Sequence, residues 1–188
     1  MLTHRFVQGL ELAIRAHNGQ VRKGTHIPYI AHPMAVASIA LEYGADEDQA
    51  IAALLHDAVE DGGAAYEREI RELFGERVST IVMGCTDGVP NSAGQKPPWK
   101  TRKEQYLAHL EQAALDVLLV SGSDKLHNAR AILSDLQAIG NQVFDRFSAS
   151  KAETLWYYSS LSDIFTRRGV AVAPALADTV SQIKELAR

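Results

Sequence analysis

Residues 52–63, AALLHDAVEDGG, place His56, Asp57, Glu60 and Asp61 side by side at the end of an apolar run. On a helix, positions three and four apart share a face. His56 with Glu60, Asp57 with Asp61, and Asp57 with Glu60 are therefore predicted neighbours. Acid at a helix C-terminus sits on the wrong side of the helix dipole, which favours cations there. A merely solvated helix end thus explains the pattern less well than a site does.

Two further polar points lie elsewhere in the chain. In SDKLHNARAIL, Asp124 and Asn128 are one turn apart, and His32 stands just before Pro33 in YIAHPMAV. Taken singly, His32 reads as a capping or core histidine and Asp124 as a solvated aspartate. Taken together, these groups have a chemistry. Two unit charges 4 Å apart repel by about 4 kcal/mol at an effective dielectric near 20, so gathered carboxylates need protons or a cation. Two imidazoles with two aspartates form a mixed nitrogen and oxygen set. It suits Mn, Fe or Zn better than it suits a Ca or Mg cage.

The elements that must position these groups are helical. Thr3 is a cap for a helix with Phe6, Val7, Leu10 and Ile14 at helical spacing, ending near Gly19. Pro33 suits the first turn of a second helix, stopped by Gly44. Asp46 caps a third helix, which runs into the His56–Asp61 motif. Shorter helices are predicted at 64–74 and 76–85, and longer ones at about 101–111, 115–138, 150–168 and 174–187. The segment TDGVPNSAGQKPPWK, residues 86–100, reads as a loop. No alternating strand pattern or internal repeat stands out. The expectation is an all-α, compact, single-domain bundle over residues 1–188.

Composition narrows the function classes. The 188 residues carry a formal charge of −4, which argues against a general nucleic-acid binder. Cys85 is the only cysteine, so no internal disulfide forms and a reducing, cytoplasmic setting is expected. The N-terminus is amphipathic and carries acid, unlike a signal peptide. No apolar run approaches the roughly eighteen residues that a membrane span needs. A homo-oligomer is compatible with the sequence.

The His-Asp pair at 56–57, with His32 upstream and Asp124 downstream, resembles the HD superfamily of metal-dependent phosphohydrolases. The segments GQVRKGTHIPYIAHP, ALLHDAVED and SDKLHNAR, in that order, are similar to the hydrolase domain of RelA/SpoT-type enzymes. That resemblance runs from about residue 4 to residue 168. It implies a stand-alone small alarmone hydrolase that removes the 3′-pyrophosphate of (p)ppGpp to give GDP or GTP. It further implies that His32, His56, Asp57 and Asp124 ligate one Mn²⁺, and that Glu60 and Asp61 orient or deprotonate the attacking water.

The same resemblance assigns substrate contacts. Arg22 lies on the purine and Lys23 meets phosphate. Asn128 sits near the ribose and 3′-phosphate. Arg102 and Lys103 form a basic pair after the loop, and Tyr158 walls the nucleotide site. His127 carries no ligand role; its place fits support or packing. Read from the residues alone, Arg22 and Lys23 are an exposed turn, and Tyr158 is core. QKPPWKTRK is either a steering patch for a polyanion or a solvated loop. Ala131 stands where many relatives carry Thr, and Gly122 and Ser123 replace more apolar residues. Other functions weighed are the same reaction on (p)ppApp, removal of the 2′-phosphate of NADPH, and a non-catalytic nucleotide-binding module.

Overall fold

The computed structural model describes residues 1–87 and 97–188, with the backbone alone for Asp61. The helices are α1 (His4–Ala16), α2 (Ala31–Glu42), α3 (Glu47–Leu55), α4 (Ala58–Gly62) and α5 (Ala64–Phe74). They continue with α6 (Glu76–Cys85), α7 (Trp99–Leu110), α8 (Leu115–Ile139), α9 (Lys151–Arg167) and α10 (Ala173–Leu186). A 3₁₀ turn, Gly140–Arg146, links α8 to α9. Among the described residues the only strand-like feature is an isolated antiparallel bridge, Val21 with Pro28. The all-α expectation stands.

Local signals set most of the boundaries. The Thr3 side chain accepts the Arg5 N–H at the start of α1. Asp46 and Gln49 exchange backbone and side-chain bonds in a capping box at α3. Ser150 and Glu153 do the same at α9. Gly19 and Gly44 take positive φ beyond the ends of α1 and α2, where other residues are strained.

Helix α8 is the spine. It packs against α2, α3, α6, α9 and α10, and Leu118 and Leu126 are fully buried on it. One contiguous core runs from Leu12 to Ala187. A Cβ on Gly122 would fall 2.6 Å from Val172 Cγ2 and one on Gly84 2.7 Å from Val117 Cγ2. Both glycines therefore permit approaches that a methyl group would block. At the edge of the core, Arg77 bridges Asp46 and Asp116, tying the starts of α3 and α8 to α6.

The third helix does not run unbroken into the acidic motif, as the spacing had suggested. It stops at Leu55, and His56 and Asp57 form a turn before α4 begins at Ala58. Both turn residues keep right-handed helical backbone, but ψ at Asp57 opens to −9°. Helix α7 starts at Trp99, two residues earlier than expected, because Pro98 takes an extended ψ of 145° and launches the helix after it. The 3₁₀ turn after Ile139 is likewise absent from the periodicity.

Candidate metal centre

Three elements deliver the central side chains. His32 comes from the first turn of α2, His56 and Asp57 from the α3–α4 turn, and Asp124 from the middle of α8. His32 Nε2 lies 3.2 Å from Asp124 Oδ1 and 3.5 Å from Asp57 Oδ2. His56 Nε2 lies 3.1 Å from Asp57 Oδ2 and 3.6 Å from Asp124 Oδ1. His32, His56 and Asp124 are buried, and they offer ligand atoms within 4.8 Å of one another. The side chains expected to converge do converge.

The break in the helix makes this geometry reachable. Successive residues on a regular helix diverge by about 100°, so a continuous helix would aim His56 and Asp57 apart. The turn lets both face one point. Glu60 is half-buried on α4, and the Asp61 side chain lies outside the described residues.

The donor set fits a cation. The Ala53 carbonyl can only accept, so His56 donates to it through Nδ1–H at 2.8 Å. That leaves Nε2, a fully buried atom with no hydrogen bond, facing the carboxylates. A histidine whose second nitrogen donates to a backbone carbonyl is the usual form of a metal ligand. His32 is held in a comparable way, with its Nδ1 2.8 Å from His127 Nδ1. Burial, with His32 and Arg22 nearby, pushes His127 down to about 4. It is therefore neutral, and with His32 Nε2 turned to a cation the His32 proton would sit on Nδ1 and be donated to His127.

The electrostatics show the same demand for positive charge. Burial works against ionising Asp57 and Asp124. The imidazoles beside both, and Lys125 beside Asp124, nevertheless hold them well below the ordinary carboxylate range. Burial likewise disfavours a charged His56, yet the two aspartates hold it well above the ordinary histidine value. A proton trapped between carboxylates marks a place that a divalent ion could take instead.

Two residues of this centre carried no sequence assignment. Tyr29 donates its hydroxyl to Asp57 Oδ2 at 2.7 Å; it sits three residues before His32 in the PYIAHP segment. Lys125 donates to Asp124 Oδ2 at 2.6 Å. Burial opposes its charge, but Asp124 holds it well above the ordinary lysine value. Its adjacency to Asp124 in SDKLHN was the only available signal.

A groove opens beside the centre in two lobes. One, about 200 Å³, is lined by Lys23, Lys103 and Lys125 with Tyr157 and Tyr158. The other, about 380 Å³, is lined by Arg22, Tyr29, Asp135, Arg146 and Tyr158. Lys23, Asn128 and Tyr158 border both. Asn128 joins groove to centre: its Nδ2 donates to Asp124 Oδ1 at 2.5 Å, and its Oδ1 accepts from Arg22 at 2.7 Å. Lys103 is ion-paired with Asp87, and burial together with Lys125 lowers its pKa. Arg102 departs from expectation. It bonds the Asp87 and Pro97 carbonyls and lines a separate cavity with Thr86, Gln105 and His109. It also pairs with the Asp87 carboxylate at 3.4 Å, so both basic residues meet Asp87 but only Lys103 lines the groove. Lys96, in the basic stretch, lies outside the described residues.

No helix among the described residues is long and apolar enough to cross a membrane. The chain matches the family model described as the HD domain over residues 9–154. It is 40% identical over 124 residues to a guanosine-3′,5′-bis(diphosphate) 3′-pyrophosphohydrolase of Aquifex aeolicus, a match covering 65% of this chain and 17% of that one. It is 32% identical over 164 residues to the bifunctional (p)ppGpp synthase/hydrolase SpoT of Escherichia coli, covering 84% and 21%. The chain thus spans about a fifth of the length of these curated relatives. Among solved structures, lmo0812 of Listeria monocytogenes superposes with a TM-score of 0.69 at 26% identity, over 83% of this chain and 98% of that one. A metazoan ortholog of SpoT that hydrolyses ppGpp superposes with a TM-score of 0.62 at 25% identity, over 90% and 98%.

Proposed function

We propose a function from one premise: this chain belongs to the HD domain family. The function is hydrolysis of the 3′-pyrophosphate of guanosine alarmones, (p)ppGpp, giving GDP or GTP and pyrophosphate. The observation that carries it is the convergence of His32, His56, Asp57 and Asp124, with a buried His56 Nε2 left without a hydrogen bond. The named activities of the Aquifex and metazoan relatives support the choice of substrate.

His32, His56, Asp57 and Asp124 would hold one Mn²⁺. When bound, such an ion acidifies water and neutralises phosphoryl charge. The chain's own groups supply the rest. Lys23, Lys103 and Lys125 line the lobe that takes phosphates. Arg22, held by Asn128 and lying 5.8 Å from the Tyr29 ring centre, offers a planar cation on which a purine stacks. Asn128 fixes Asp124 and the ribose end of the groove.

Glu60, on the helix that follows Asp57, accepts the proton of the attacking water, and Asp61 shares that task. Positioned acid–base groups contribute about 10²- to 10⁴-fold. Water adds to the phosphorus attached at the 3′ oxygen, the bond between them breaks, and the 3′-hydroxyl is restored as pyrophosphate leaves. We read residues 1–188 as one domain, acting in the cytoplasm.

The test is a product assay with ppGpp and Mn²⁺. GDP together with intact pyrophosphate is the expected outcome. Release of single phosphates, or inertness toward ppGpp, overturns the reading.

A further inference from the structure

We infer that Asp135 and Arg146 form a guanine-reading pair at the far end of the groove, selecting guanine over adenine; this rests on the alarmone reading above.

The placement follows from α8. Asp124, Asn128 and Asp135 lie at positions i, i+4 and i+11 of one helix. Eleven residues are about three turns, or roughly 16 Å, so the three side chains form one stripe from the metal centre outward. Asn128 reaches Asp124 at one end and borders both lobes of the groove. Asp135 borders only the lobe that holds Arg22.

Charge decides which end of a nucleotide enters that lobe. Among the described residues the Lys23–Lys103–Lys125 lobe has no acidic lining residue, whereas the Arg22 lobe sets Asp135 among Arg22, Lys23 and Arg146. A carboxylate in the wall repels phosphate and accepts from N–H groups. It is therefore matched to a base with donors on its edge, stacked on Arg22.

Arg146 sharpens the choice. It donates to Asp135 Oδ2 at 2.6 Å, leaving Oδ1 for a ligand. Side-chain exposures of 25% for Arg146 and 40% for Asp135 leave the pair accessible. Gly24, next to Lys23, makes room for it: a Cβ there would come 2.8 Å from Arg146 Cδ. The Watson–Crick edge of guanine presents one acceptor, O6, beside the donors N1–H and N2–H₂. An arginine beside a carboxylate complements that order. Adenine presents a donor at the O6 position and an acceptor at N1, so it meets both groups with the wrong polarity. Polar groups left mismatched beneath a bound base are what give a site discrimination.

The experiment compares kcat/KM for ppGpp and ppApp, with Mn²⁺ present, in the wild type and in Asp135→Asn. Binding of the products GDP and ADP to the same proteins is measured by calorimetry. The wild type should prefer guanine in both readouts. Asp135→Asn should reduce that preference by about tenfold or more, the scale of one hydrogen bond to a charged group. A role confined to tying the 3₁₀ turn to α8 would weaken both nucleotides equally, and an unchanged ratio overturns the inference. So does a wild type without base preference. An inosine alarmone, lacking the 2-amino group, needs no variant and should fall below ppGpp on the wild type; equality counts against the pair. If the wild type hydrolyses none of these nucleotides, the alarmone reading fails, and the GDP-to-ADP binding ratio alone decides the inference.

Discussion

The metal centre draws on two kinds of helix. Asp124 stands in the middle of α8, an unbroken helix of 25 residues, whereas His56 and Asp57 stand where one helix has stopped and the next has not begun. The continuous helix serves residues one turn apart, and so Asn128 supports Asp124 through a direct bond. The interrupted helix brings two residues adjacent in sequence to one point, His56 Nε2 lying 3.1 Å from Asp57 Oδ2. A centre assembled this way combines a continuous wall with an interrupted one.

The two walls should fail differently. The largest effect is expected from Asp124→Ala. It removes a proposed ligand and strands Lys125, buried at 9% exposure beside it. Breaking a buried pair by deleting one partner costs about 3–5 kcal/mol. Chemical denaturation should show that loss, and metal analysis should fall from one equivalent to none. On the interrupted side, Asp57→Ala should also abolish metal binding, but with a smaller stability cost, because Asp57 is shared among Tyr29 and two imidazoles. Equal destabilisation by the two variants would break the comparison.

Stripping the ion with a chelator is the next test. Ligand-linked stability is about 2.7 kcal/mol at a hundredfold excess over Kd, so the melting temperature should rise on adding Mn²⁺ back. It should not rise in Asp57→Ala. Smaller again is His127→Ala, which removes the acceptor for His32 Nδ1–H. Loss of such a supporting partner weakens metal affinity by about 10- to 100-fold, read by competition with a chelating dye. Tyr29→Phe, which deletes only one hydrogen bond to Asp57, should cost about 0.5–1.5 kcal/mol.

An effect of similar size lies away from the centre. Asp46→Ala removes the cap of α3 and should cost about 1 kcal/mol. Slight burial opposes ionisation of Asp46, but the Gln49 N–H and Arg77 hold its pKa below the usual value. A depressed carboxylate stabilises the fold above its unfolded pKa. The cost of Asp46→Ala should therefore be full at neutral pH and shrink as pH falls through the carboxylate range.

Much of the centre was legible because its polar side chains differ in type from their apolar surroundings. His32, His56, Asp57 and Asp124 stand out for that reason, and the caps at Thr3 and Asp46 obey local rules. The interruption at 56–57 was not legible, since LLHDAVE contains neither glycine nor proline. Both His56 and Asp57 keep right-handed helical backbone, so periodicity does not mark it. Asp135 and Arg146 escaped for a different reason. They meet only because a 3₁₀ turn folds back on α8, and neither looks unusual alone. Arg102 and Lys103 look alike in sequence, but helix geometry sends neighbours about 100° apart, and only Lys103 reaches the groove.

Gly122 has a reach beyond its own position. With only hydrogen where a methyl would stand, the backbone of α8 rests on Val172, just two residues ahead of Asp124. A stiff rod transmits any displacement along its length, so the aperture between Asp124 and His56 is gauged from behind, by the seat of the chain's last helix. Enlarging Val172 would thus press on α8 two residues from Asp124.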